Sequence, residues 1–356
     1  MRRMTLIARC TLTLCLALAG APGHLLASET ADRTTPTLEE LTAHNVRRLD
    51  YWKGFETRSL ADRLQPATPE VIDFLQKSNL YQGFPQQPVP ARIDKNYLAD
   101  IRAAIKDIPA AVQALVADKL VALMLVEDLG GSGYMESVLD ANGEPVAAFL
   151  VLDPTVLDKN ANAWASWKDS TPFMADPEYE IRTHLEEPVD DTRQNALRYI
   201  LLHEFAHFVG MDPSLNPNWW QEPSADALAV ARFASLSWVF KDGEYVSRYD
   251  SDFTLRPRLV FYGSDDSKLP MSDAAPLLRE LSKTNFPTPY AATSNADDFA
   301  ESLANYIHVV VDKRPYWVEV TRNGQTLYRL ESCWGTPRCA TKEMLLSWLL
   351  AAPKKL

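Results

Sequence analysis

The segment from Asp190 to Gly210 constrains the fold more than any other part of the chain. Its sequence, DDTRQNALRYILLHEFAHFVG, repeats apolar residues three and four apart, which predicts one long α-helix with a wide apolar surface. Asp191 or Thr192 can cap its start and Gly210 can end it. Such a helix needs other elements packed around it. A chain of 356 residues with 46% hydrophobic residues can supply a core of that size.

The pattern of apolar residues changes near residue 117. Before that point, residues 28–117 have mostly helical spacing, which predicts a helical N-terminal region. After it, residues 119–129 form an apolar run typical of a buried strand. Residues 133–153 predict two strands joined at Asn142-Gly143, a strong turn signal.

The remainder of the chain is predicted to be largely helical. Residues 224–240, SADALAVARFASLSWVF, predict a hydrophobic helix. With the strands before it, this predicts an α+β domain over residues 118–356 that contains a small mixed sheet.

The first 27 residues are typical of a secretory signal peptide. A basic start is followed by a short apolar run from Cys10 to Ala21 and by small residues that offer cleavage points. An uncleaved anchor is the alternative, but the run is too short to span a bilayer comfortably. We therefore expect an exported protein, either periplasmic or secreted.

Charge and cysteine content narrow the possible partners. The formal net charge is −11, and loss of the leader would remove arginines but no acidic residue, so bulk charge disfavours binding to nucleic acid or anionic lipid. The same cleavage would leave only Cys333 and Cys339, in CWGTPRC. Two close cysteines in an exported protein predict a small disulfide loop. A zinc site there is disfavoured because no histidine lies nearby.

The predicted long helix also contains the chemically most specific pattern, HEFAH, with His203, Glu204 and His207. Residues four apart lie on one helix face, so both imidazoles can bind one metal ion. Two imidazoles and one carboxylate leave zinc an open position, where a water molecule loses a proton near neutral pH. Glu204 could accept that proton and pass it to a leaving amine. The alternative is a partly buried helix with two satisfied histidines.

The HEFAH pattern resembles the zincin metallopeptidases, and a downstream segment narrows the resemblance to the gluzincin kind. In YAATSNADDFAESLANYIH, a tyrosine is followed seven positions later by an acidic residue and then by Phe-Ala. That order is similar to anthrax lethal factor, the Pro-Pro endopeptidases and the Mlc titration factor peptidases. The resemblance covers about forty residues in two stretches. It implies that Tyr290 polarises the substrate carbonyl, Asp297 is the third zinc ligand and Glu301 steadies a zinc-bound histidine.

The third ligand stays open among three carboxylates. These families have glutamate where this chain has Asp297, and Ser294 with Asp297 also fits a helix-capping box. Glu301 lies one turn further on the same face and has the longer side chain, so it is either the ligand or a group that orients a histidine. Glu222, followed four residues later by an aspartate, is a weaker candidate because Pro223 disturbs helical geometry.

The sequence thus predicts an exported zinc metallopeptidase with a zincin-like α+β fold. Zinc would be the cofactor and a peptide or protein the substrate. By analogy with zincins, residues 147–153 are expected to be the edge strand that pairs with an extended peptide. Two alternatives remain: a non-catalytic protein in which zinc holds the lobes together, and an amidase that acts on cell-wall peptides.

Overall fold

Helices and strands alternate irregularly along the part of the chain that this computed structural model describes, residues 35–351 without residues 93, 219–220 and 264. The predicted signal peptide, residues 1–27, lies outside the described residues. The α-helices α1 to α10 are, in chain order, Leu38–Ala43, Pro69–Gln82, Lys95–Lys106, Ala110–Val116, Ala161–Ser170, Arg193–Gly210, Ala225–Val230, Ala274–Leu281, Asn295–Tyr306 and Ala340–Ala351. The strands β1 to β10 are Leu64–Pro66, Val89–Pro90, Leu120–Glu127, Gly133–Leu139, Pro145–Leu152, Tyr179–His184, Trp238–Lys241, Glu244–Ser247, Trp317–Arg322 and Gln325–Glu331.

The main sheet is small and mixed, as predicted. Its order is β1-β3-β5-β4, in which β1 and β5 run parallel to β3 and β4 runs antiparallel to β5. The buried strand predicted at residues 119–129 and the two strands predicted within residues 133–153 are confirmed as β3, β4 and β5. Strands β1 and β2 come from the N-terminal region predicted to be helical, and both pair with β3, so that region contributes to the sheet as well as to the helices.

The two faces of the sheet are covered by different parts of the chain. Strands β3 and β5 are almost continuously apolar and buried, the composition expected of strands covered on both sides. On one face Phe149 packs edge-on against Phe74 of α2 at 6.2 Å between ring centroids. On the other face, Leu123 and Leu150 join the larger core, which includes α6. The sheet thus separates the N-terminal helices α1 and α2 from α6.

Helix α6 confirms the predicted long helix and lies in the middle of the larger core. It has 18 residues, is capped by Thr192, and is buried from Ala196 to Gly210. The Thr192 side chain accepts a hydrogen bond from the amide of Asn195 at 3.2 Å. Of the helices that the structure describes, none is long and apolar enough to cross a membrane.

The prediction of one hydrophobic helix over residues 224–240 is wrong. Helix α7 ends at Val230, and β7 begins eight residues later and pairs with β8. The amides of Arg232 and Phe233 bond to the carbonyls of Ser214 and Leu215, at 2.9 and 3.0 Å, instead of continuing the helix. Tertiary hydrogen bonds therefore override the local helical spacing.

Helix α9 is buried on every side, including its charged positions. Asp298 forms an ion pair with Lys342 of α10 in which both side chains are fully buried. The predicted disulfide between Cys333 and Cys339 is confirmed, and it closes a loop beside this helix. From that loop Trp334 donates its indole N–H to Asn305 Oδ1 at 2.8 Å. The acidic residues of α9 therefore lie in the interior and do not form a solvated face.

Candidate metal centre

Helices α6 and α9 pack against each other, and each presents two functional side chains one turn apart. His203 and His207 on α6, like Asp297 and Glu301 on α9, are four residues apart and so share a helix face. His203 Nδ1 lies 3.1 Å from Glu301 Oε1, and His207 Nε2 lies 3.7 Å from Asp297 Oδ1. His203 thus faces Glu301, and His207 faces Asp297. The two helices therefore run antiparallel across the site.

Gly210 allows this close approach. A Cβ atom at Gly210 would lie 3.1 Å from Cδ1 of Phe299 on α9, which is tighter than an ordinary carbon–carbon contact. The sequence predicts that the helix ends at Gly210, and α6 does end there, with Met211 as its C-terminal cap. Because Met211 has a right-handed backbone, the close packing on α9 explains the glycine better than a left-handed cap does.

The side chains of His203, His207 and Asp297 form the group of possible metal ligands found among the described residues. Their ligand atoms all lie within 4.8 Å of one another, and the two Nε2 atoms are 3.2 Å apart. Tetrahedral bonds of about 2.0–2.1 Å to zinc would hold neighbouring ligand atoms about 3.3 Å apart. The donor types and their spacing therefore fit a zinc ion.

The position of Asp297 is compatible with both roles that the sequence leaves open for it, helix capping and metal binding. Its Oδ2 accepts hydrogen bonds from the hydroxyls of Ser294 and Thr293, at 2.7 and 3.1 Å. Ser294 in turn caps α9 by accepting from the Asp297 amide at 3.0 Å. The other oxygen, Oδ1, faces His207. One carboxylate can thus join the capping network and still present an oxygen to a metal.

Glu301 has both oxygens engaged by protein groups. Thr288 donates its hydroxyl to Oε2 at 2.7 Å, and Lys168 donates to Oε1 at 3.1 Å. Oε1 also lies within ion-pair distance of His203 Nδ1, although the ring N–H is not aligned for a hydrogen bond. Burial alone would raise the pKa of Glu301, but Lys168 and His203 hold it well below its usual range. This arrangement suits a group that orients His203 better than a direct ligand.

The two histidines differ in their electrostatic environment. Burial and the neighbouring His203 lower the pKa of His207 to about 4, so its ring is neutral at neutral pH and can act as a metal ligand. Burial also opposes the charged form of His203, but Glu301 outweighs it and the pKa of His203 is raised. The contact with Glu301 favours a proton on Nδ1 and leaves Nε2 for the metal side.

Glu204 occupies the position expected for a proton-transferring group. Its carboxyl is buried beside His203 and lines a cavity of about 30 Å³ together with Tyr290, which is enough room for a water molecule. Burial raises the pKa of Glu204 to about 7, with a further upward contribution from Asp297 and an opposing one from His203. A carboxyl group with a pKa near neutrality can both accept and donate a proton at physiological pH.

Tyr290 lies five residues before the start of α9 and contacts His203 of α6. Its ring lies 5.6 Å from that of His203, between centroids, and 4.7 Å from that of Phe261. The structure therefore brings Tyr290 together with Glu204, His203 and Glu301 around one cavity.

Sequence reasoning missed two residues of this site, Lys168 and Thr288. Lys168 is buried, pairs with Glu301, and has its ammonium 5.2 Å from the centroid of the Tyr290 ring. Its burial opposes the charged form, yet Glu301 and Asp169 leave the pKa of Lys168 raised. Lys168 and Glu301 are 133 positions apart, and neither Lys168 nor Thr288 belongs to a local motif, so no sequence signal pointed to them.

Two predictions, Glu222 as a possible ligand and residues 147–153 as an edge strand, do not agree with the structure. Glu222 is exposed and is not part of the group of possible ligands among the described residues. The strand expected at the sheet edge, residues 147–153, is β5, which lies between β3 and β4. Strand β4 is an edge strand of this sheet, and its first residue, Gly133, lines the same cavity as Glu204. A Cβ atom at Gly133 would lie 2.5 Å from Val151 O, so glycine is required there.

Comparison of the chain with protein-family models, with curated proteins and with solved structures gives no match. What the site can do therefore has to follow from its own residues and their geometry.

Proposed function

We propose that this protein is an exported zinc-dependent metallopeptidase of the zincin kind. The observation that carries the proposal is the group formed by His203, His207 and Asp297, whose spacing fits zinc, with Glu204 lining the cavity beside it. The proposal assigns zinc binding to those three residues and the second, orienting role to Glu301.

The residues have distinct parts in peptide hydrolysis. Zinc bound there would acidify a water molecule and polarise the scissile carbonyl. Glu204 accepts the proton of the attacking water and then delivers it to the leaving amine. Tyr290 is the donor to the oxyanion that develops on the carbonyl oxygen. Glu301, held by Lys168 and Thr288, keeps the ring of His203 in its ligating orientation.

Two structural features support an enzyme over a protein in which zinc only joins lobes. A structural zinc site is normally closed by four protein ligands, whereas a catalytic one keeps an open position. The group found among the described residues has three members. The antiparallel edge strand β4 also begins at the same cavity, where an extended peptide could add to the sheet. The disulfide and the predicted leader support export.

The test is a Glu204→Gln variant compared with the parent and with Glu244→Gln, an exposed carboxylate on β8. We expect Glu204→Gln to retain zinc, measured by metal analysis, and to lose peptide hydrolysis by roughly 10²–10⁴-fold. Glu244→Gln should match the parent. Unchanged hydrolysis in Glu204→Gln would overturn the mechanism. Assaying peptidoglycan fragments in parallel separates the peptidase from the cell-wall amidase, which would cleave only those fragments.

A further inference from the structure

A second, larger cavity adjoins the metal centre. It has a volume of about 670 Å³, and Ser132 and Tyr262 line both it and the smaller cavity that contains Glu204. We call the larger cavity the side chamber. The shared residues place the chamber next to the position that the scissile bond of a peptide would take at Glu204.

The polar groups of the side chamber are mainly hydrogen-bond acceptors. Asp128, Asp153 and Asp176 contribute carboxylates, and each already accepts at least one backbone amide. Of the described residues that line the chamber, Lys268 is the one cation. Its ammonium lies 2.9 Å from the carboxylate of Asp265, which offsets its charge.

Two residues that line the chamber carry a buried polar atom that is unpaired among the described residues. Gln86 Oε1 and Ser132 Oγ are both buried, and the structure offers neither a hydrogen-bond partner within its described residues. A buried polar atom without a partner costs free energy, so a ligand that supplies a donor gains by pairing with it. Gln86 Oε1 is an acceptor and the Ser132 hydroxyl can accept as well as donate, so together with the carboxylates they favour a donor-rich, positively charged group.

Aromatic rings complete one wall and are held firmly in place. Trp167 and Tyr262 lie 5.6 Å apart between centroids, and both line the chamber. Tyr262 has a left-handed backbone, with φ of 58°, and its amide donates to Thr171 Oγ1 at 3.1 Å. Such strain in a non-glycine residue persists where the surroundings enforce it, often at binding sites. Lys159 already places its ammonium 5.2 Å from the Trp167 ring centroid, and aromatic rings of this kind attract planar cations.

We propose that the side chamber is a specificity subsite that takes a basic side chain, arginine or lysine, next to the bond to be cleaved. This proposal rests on the proposed peptidase function. An acidic side chain would face the three aspartates and an aliphatic one would leave the buried acceptors without partners. A guanidinium group supplies five donors and a planar face, so it matches both the acceptors and the aromatic wall.

Binding and cleavage are measured separately to test this subsite. The probes are alanine-based octapeptides with a single arginine at successive positions, each matched to a peptide with citrulline, the uncharged isostere, at the same place. Calorimetry with the zinc-loaded Glu204→Gln protein measures binding without turnover. At one or more positions we expect the arginine peptide to bind roughly tenfold more tightly than its citrulline match.

Variants locate the preference in the chamber. In the Glu204→Gln background, Asp128→Asn with Asp176→Asn should reduce the arginine-to-citrulline ratio severalfold and leave the citrulline peptide unaffected. Asparagine tolerates the left-handed backbone of Asp128. Asp252→Asn, an exposed carboxylate that does not line the chamber, is the matched control and should keep the ratio.

The outcomes separate this proposal from the proposed function. Arginine selectivity that is lost in the double variant supports the subsite even if the parent cleaves no peptide. Cleavage by the parent with equal binding of both peptides at all positions overturns the subsite and leaves the peptidase intact. Absence of binding by either peptide, or a ratio that the double variant does not change, also overturns the subsite.

Discussion

At the scale of single residues, the two carboxylates that α9 contributes to the site differ in which groups their oxygens contact. Asp297 uses Oδ2 in the capping network and presents Oδ1 to His207, whereas both oxygens of Glu301 are bound by protein donors. Under the proposed assignment, the hydrogen bonds around each carboxylate, and not side-chain length, favour Asp297 as the ligand. The shorter side chain already has its Oδ1 at 3.7 Å from His207 Nε2.

Removal of these two carboxylates should consequently have unequal effects on zinc binding. We expect Glu301→Gln to weaken zinc affinity by about 10–100-fold, as loss of an orienting group does. Asp297→Ala should weaken it more, because a direct ligand is lost. Competition with a chromophoric chelator measures both affinities. Ser294→Ala removes the helix cap and should lower stability by about 1 kcal/mol; because Ser294 also donates to Asp297 Oδ2, it should weaken zinc binding, but less than Asp297→Ala does. Equal affinities for Asp297→Ala and the parent would exclude Asp297 as a ligand.

At the scale of elements, the packing of α6 on α9 determines whether the two halves of the site meet. They come close together at Gly210 and Phe299, where the space for a Cβ atom is tight. A branched side chain at Gly210 would have to displace α9, and Asp297 would move with it.

The Gly210→Val variant tests this packing. It should lower the free energy of unfolding by about 1–3 kcal/mol through overpacking and also weaken zinc binding, although residue 210 is not a ligand. Phe299→Leu in the same background should recover part of both losses by making room. Urea unfolding and the chelator competition give the two quantities. A variant that is destabilised but binds zinc as tightly as the parent would show that helix spacing does not control the site.

Elements that depend on local chemistry were predictable from the sequence, and elements that depend on distant partners were not. Thr192 caps α6 as predicted because capping involves residues three positions apart. The helix predicted over residues 224–240 fails because the amides of Arg232 and Phe233 bond to carbonyls in another segment. The pairing of HEFAH with a second acidic helix is expected from the resemblance to known families, whereas the buried Lys168 that holds Glu301 belongs to no local motif.

At the scale of the whole molecule, the interior contains many polar side chains, and one of them connects three parts of the chain. His308 lies just after α9 and is buried. Its Nε2 lies 2.7 Å from Leu185 O and 3.1 Å from Pro315 O, and donates to these carbonyls, which follow β6 and precede β9. Helix α9 is thereby connected to the three-stranded sheet β10-β9-β6.

Protonation of His308 should therefore couple the stability of the fold to pH. Burial lowers the pKa of His308 to about 4, whereas a histidine in the unfolded chain titrates near 6.5. Between these values the unfolded chain binds a proton that the folded protein does not, so the free energy of unfolding falls as the pH drops from about 6.5 to about 4. The contribution of this one group reaches about 3 kcal/mol at the lower end.

The matched variant is His308→Gln, which can still donate to both carbonyls but does not titrate. Urea unfolding in the presence of a chelator, at intervals between pH 7 and pH 4, should show a smaller loss of stability in the variant than in the parent. Relative to the parent, the variant should gain about 3 kcal/mol across this interval, because only the parent binds the extra proton on unfolding. Parallel curves for the two proteins would mean that His308 takes up its proton over the same pH range in the folded protein as in the unfolded chain, and that its link between α9 and the sheet does not require the neutral ring.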